Sequence, residues 1–83
     1  MTFLVDPPRP IEVETDGEDR PRRIWGDPLT GPVVPVQRWI AEVDWWSRPV
    51  SREYWRVLLQ DRLLCEIYRD LDEGAWYVER VFD

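Results

Sequence analysis

Six of the 83 residues are tryptophan, in a chain too short for two domains. A domain of this length buries only about 60% of its unfolded surface, so each large apolar side chain matters to the core. A buried Trp removes roughly 200 Å² from water, worth about 5 kcal/mol at about 25 cal/mol/Å². Most of the tryptophans are therefore expected to be structural. A functional role for any one of them starts from that expectation.

The local patterns are those of strands. Ile11, Val13 and Thr15 alternate with Glu12 and Glu14, and Asp16-Gly17 follows as a hairpin signal. Arg22 to Trp25 reads as the return strand, stopped by Gly26-Asp27-Pro28. In the last third, Trp55, Val57 and Leu59 alternate with Tyr54, Arg56 and Leu58, and Gln60-Asp61-Arg62 is a tight turn. Leu63 to Arg69 then puts Cys65 and Ile67 on one face. Gly74 suits the next turn. Ala75 to Phe82 closes the meander, with Trp76, Val78 and Phe82 expected on one side. The stretch from Val33 to Trp46 reads as a bent strand, with Pro35 allowed only at an edge or a bulge. Val36, Trp39, Ile40 and Val43 also fit helical spacing, so a short helical turn is the alternative. Pro7, Pro8 and Pro10 make residues 1–10 an extended lead-in outside the domain, which spans 11–83. The expected fold is all-β: a small five-stranded SH3-like or open barrel with a C-terminal three-stranded meander.

Charge narrows the function classes. The net charge is −6, which disfavours non-specific binding to duplex DNA. The imbalance sits at the start: residues 1–19 hold six acids and one Arg, whereas residues 20–83 hold eleven acids and ten Arg. There is no His or Lys, so an activated nucleophile would have only carboxylates as bases. Cys65 lies between Leu64 and Glu66, where burial beside an acid makes a thiol less reactive. Asp70-Leu71-Asp72-Glu73 lacks the spacing of a calcium loop and reads as solvated turn residues. No enzyme activity, cofactor or metal is expected. The lone cysteine excludes an internal disulfide, the start lacks a basic leader region, and no apolar run approaches a membrane span. A cytoplasmic location is the default expectation.

Binding is the better reading. Arg and aromatic residues interleave at Arg22-Arg23-Ile24-Trp25, Arg38-Trp39, Tyr54-Trp55-Arg56 and Tyr68-Arg69. Such a pattern suits either a stacking surface for single-stranded nucleic acid or a Trp core rimmed by Arg stems. Trp, Tyr and Arg are also the residues most enriched at protein interaction hot spots. The binding-surface candidates are Arg22, Arg23, Trp25, Trp45, Trp46, Arg56 and Arg69. The first strand, with Glu12 and Glu14, is a further candidate for accepting an added strand. Gln60 to Leu64 loosely matches Gln-initiated sliding-clamp peptides, but a tight hairpin is the wrong context.

Trp45-Trp46, Tyr54-Trp55-Arg56-Val57, Glu66-Ile67-Tyr68-Arg69-Asp70 and the run from Trp76 to Asp83 together resemble a small bacterial domain of unknown function. The same residues resemble the C-terminal region of ImuB-like, Y-family polymerase-like mutasome proteins. The resemblance covers about Arg22 to Asp83. It implies an accessory role near translesion synthesis and DNA repair, with a repair or replication protein as partner. It implies no catalytic residues, because no polymerase domain is present.

Overall fold

The computed structural model describes residues 2–45 and 48–82, with the backbone alone for 43–45 and 48. Six antiparallel strands follow in chain order: β1 (Thr2–Thr15), β2 (Pro21–Gly26), β3 (Leu29–Trp45), β4 (Arg48–Leu59), β5 (Leu63–Asp70) and β6 (Trp76–Phe82). Each pairs with the next, and β6 pairs back onto β1, so the strands close into a ring. The fold is all-β as expected, with six strands rather than five. The added strand is the described part, Val33 to Trp45, of the ambiguous stretch. It forms β3 with no helical turn among the described residues, so Val36 and Ile40 lie 62% and 48% exposed instead of on a buried stripe.

Residues 1–10, expected outside the domain, enter the sheet from Thr2 onwards. Thr2, Phe3 and Leu4 pair with Phe82, Val81 and Arg80, and the pairing resumes at Arg9 opposite Val78. Pro7 and Pro8 fall in the unpaired interval between Leu4 and Arg9, where missing N–H donors cost least, and Pro10 sits within the resumed run opposite Tyr77.

Two long strands bend to serve both sides of the ring. β1 pairs with β6 up to Ile11 and with β2 from Glu12 onwards. β3 pairs with β2 up to Pro32 and with β4 from Val33 onwards. A five-stranded sheet β3-β4-β5-β6-β1 results, and β2 bridges its two edges. Inside sit Ile11, Ile24, Val33, Trp55, Val57, Leu59, Cys65, Ile67 and Val78, with Val13, Leu29, Leu63, Trp76 and Val81 packed against them.

Two irregularities decide which side chains face out. Between Pro35 and Gln37 the β3 register shifts, leaving Val36 as an extra residue. A bulge is the feature Pro35 permits. On β6, Glu66 pairs with Arg80 and Ile67 with Val78, so Glu79 is the extra residue. A one-residue slip exchanges the faces beyond it. Val81 therefore joins Val78 in the core and Phe82 turns outward, opposite to strict alternation from Trp76.

Candidate functional site

The outer face of the five-stranded sheet is organised in cross-strand rows. The first is aromatic. Trp39, Tyr54, Tyr68 and Tyr77 sit directly opposite one another on β3, β4, β5 and β6. Their ring centroids are 5.3, 5.3 and 5.2 Å apart in sequence along the row. Trp39 and Tyr54 are within 5° of parallel. Such cross-strand ring pairs add to sheet stability beyond their burial. The row is covered rather than displayed, with Tyr54 and Tyr68 only 7% and 4% exposed. Arg52 lies 4.5 Å over the Tyr68 ring and pairs with Glu79 at 3.6 Å, while Tyr54 Oη donates to Glu79 Oε2 at 3.2 Å. Burial pushes both phenols above the usual tyrosine range.

The second row is polar: Gln37, Arg56, Glu66 and Arg80. Arg56 Nη2 donates to the buried Glu66 at 3.2 Å, and Arg80 lies 3.9 Å from the other carboxylate oxygen. The Arg56 guanidinium also stacks 5.5 Å from the Trp39 ring and 5.1 Å from the Phe82 ring.

The third row is apolar: Val34, Leu58, Leu64 and Phe82. At about 4.8 Å per strand it runs about 14 Å across the sheet. Val34 is 55% exposed, and Leu4 of the neighbouring row is 60% exposed. With the protruding Val36, these side chains form an apolar strip bordered by Arg56 and Arg80. Pattern reading of single strands missed it, because only the cross-strand register aligns the four residues.

Inside the ring, at the opposite end, a charged cluster plugs the core. Glu53 takes Arg38 Nη2 at 2.7 Å and Arg69 Nη2 at 2.6 Å, and Arg69 Nη2 also reaches Asp19 at 2.7 Å. Burial of Glu53 acts to raise its pKa, but the hydrogen bonds from Arg38 and Arg69 outweigh it and hold the carboxyl below the ordinary 4.5. The hydrogen bonds from Arg69 likewise lower Asp19. Arg69 and Arg38 lie 4.9 and 5.8 Å over Trp76 and Trp55, respectively.

The seven sequence candidates do not form one surface. Arg22, Arg23 and Trp25 lie on β2, where Arg23 and Trp25 flank the fully buried Ile24 and all three are exposed. Arg22 meets Glu14 at 3.5 Å. Arg56 belongs to the polar row of the large sheet. Arg69 is committed to Glu53 and Asp19 inside the ring, with its side chain 20% exposed, so it is a structural cation rather than a displayed one. Trp45 ends β3 opposite Arg48. Trp46 lies outside the described residues.

The other sequence features take structural places. Cys65 is fully buried, and burial pushes its thiol up to about 11. Gln60 and Asp61 both have positive φ in the β4–β5 turn, and Arg62 N bonds Leu59 O at 3.0 Å. The clamp-peptide segment thus begins inside a tight turn. Gln60 holds that turn against the β2–β3 hairpin by donating Nε2 to Thr30 O at 2.8 Å. Among the described residues there is no group of three or more potential metal ligands and no helix long and apolar enough to cross a membrane.

No protein-family model matches the chain, and neither a curated protein nor a solved structure is similar enough to count as a match.

Proposed function

We propose that this chain is a non-enzymatic interaction module whose outer sheet face docks a protein partner. The observation that carries this reading is the apolar row Val34–Leu58–Leu64–Phe82, flanked by the exposed Val36 and Leu4 and rimmed by Arg56 and Arg80. An apolar strip with an Arg-rich border is the composition of an interface centre and rim. The aromatic row beyond the polar one is packed ring on ring, which makes the face a stiff one. A stiff face loses little side-chain freedom on binding.

The resemblance to the ImuB-like C-terminal region supports a repair or replication protein as that partner and a cytoplasmic site of action. It also includes Phe82, a member of the apolar row. The experiment is affinity capture from cells under DNA damage with the wild-type chain and with Leu64→Asp. Wild type is expected to retain a repair or replication protein, and L64D to lose it. Equal capture by the two, or none of these proteins with wild type, would overturn the reading.

Single-stranded nucleic acid is the weaker alternative. The rings of the Arg–aromatic segments stack on one another and on arginines already paired with Glu53, Glu66 or Glu79, leaving mainly Arg22, Arg23 and Trp25 for a strand. Addition of an oligonucleotide at low salt is expected to leave tryptophan emission unchanged.

A further inference from the structure

β3 has an open edge. Its side towards β2 is paired only from Leu29 to Pro32, whereas its other side pairs with β4 from Val33 through to Trp45. Among the described residues, no strand lies against the first side beyond Pro32. Prolines blunt the start of this edge at Pro32 and Pro35, but none occurs from Val36 to Trp45. An unpaired run of backbone donors and acceptors is a template for a further strand.

From this edge we infer that two copies of the chain pair antiparallel through β3, with the two-fold axis at Ile40. Closed two-fold pairing requires that residue i oppose residue j and j oppose i. With Ile40 opposite itself, Arg38 falls opposite Glu42 of the second copy, and Glu42 opposite Arg38, giving two opposite-charge pairs. Trp39 falls opposite Ala41, so a large ring meets a small side chain on the other face. Moving the axis two residues either way puts Arg38 opposite Arg38 or Glu42 opposite Glu42, which repels. Of these three registers, charge favours the one centred on Ile40.

The residues are available for it. Ile40 is 48% exposed and Glu42 is exposed. Arg38 bonds Glu53 through Nε and Nη2 while its side chain remains 49% exposed. The pairing lies on the strand edge, not on the apolar row, so the dimer leaves the proposed partner face uncovered.

The test uses the self-opposition at position 40. By sedimentation equilibrium, wild type is expected to pass from monomer to dimer with rising concentration. Ile40→Lys and Ile40→Asp each place like charges face to face and should raise the dissociation constant roughly tenfold or more. An equimolar mixture of I40K and I40D should recover the dimer as a heterodimer. Glu42→Arg, on an exposed side chain, is expected to give the same loss alone, with far-UV circular dichroism confirming that each variant is folded. Wild type that stays monomeric up to about 1 mM overturns the inference and leaves the edge to a strand of another protein. So does dimerisation that survives in I40K, or that Leu64→Asp abolishes while I40K does not, since that locates the contact on the apolar row.

Discussion

Glu53 on β4 and Arg69 on β5 face each other directly inside the ring, with Nη2 2.6 Å from the carboxylate, and Arg38 on β3 closes on the same group at 2.7 Å. One buried carboxylate therefore ties three adjacent strands and, through Arg69 and Asp19, the β1–β2 turn. This contact fills the end of the ring that apolar side chains leave open.

Replacing that carboxylate by an amide should leave two guanidinium groups without their shared anion. Removing one member of a fully buried pair costs roughly 3–5 kcal/mol, but Arg38 and Arg69 reach solvent. Glu53→Gln is accordingly expected to lose about 2 kcal/mol, read as a lower urea midpoint at unchanged slope.

The same cluster sets the acid response. In the unfolded chain Glu53 takes up a proton near its ordinary 4.5, whereas the folded protein holds it off to lower pH. The unfolded state then binds more protons, so stability falls as the pH is lowered. Asp19 acts in the same sense from its ordinary 3.8. The contribution is complete above the ordinary carboxylate range and disappears as pH falls through the lowered folded values. Urea midpoints measured between neutral pH and strong acid should show this decline, and E53Q should flatten it. An unchanged decline in E53Q would place the acid sensitivity elsewhere.

The aromatic row makes a separable prediction. Tyr54 stacks on Trp39, packs at a tilt against Tyr68 and bonds Glu79 through its hydroxyl. Tyr54→Phe keeps the ring and should cost about 1 kcal/mol. Tyr54→Ala removes the ring and should cost about 3–5 kcal/mol. Thermal unfolding of both variants gives the comparison. Near-equal losses would mean that the hydroxyl, not the stacking, holds the row.

Much of this was legible in the chain. The turn at Gln60-Asp61-Arg62 fixes Tyr54 opposite Tyr68, and the turn around Gly74 fixes Tyr68 opposite Tyr77. The row was thus implicit in turn positions that the sequence marks plainly. Pro35 likewise pointed to an edge or a bulge. The slip at Glu79 has no such marker, since neither Gly nor Pro stands there, so alternation puts Phe82 on the same side as Trp76 and Val78. The roles of Arg56 and Arg69 were also out of reach. Whether an arginine meets solvent or a buried Glu53 or Glu66 depends on partners ten to sixteen residues away in sequence. Nor does local alternation show that Thr2 to Leu4 belong to the sheet, because their partners are at the far end of the chain.

That last pairing bears on the order of events in folding. Thr2 meets Phe82, so closure of the ring joins segments separated by nearly the whole described chain. The hairpins β2–β3, β3–β4 and β4–β5 need only short loops. The first strand has no partner for its opening residues until the last strand exists. A chain in which β6 has not yet joined therefore carries an unclosed sheet that still lacks Val78 and Val81. Closure then has to bring the most distant residues together at the greatest loop cost, which places this small domain among the slower folders of its size.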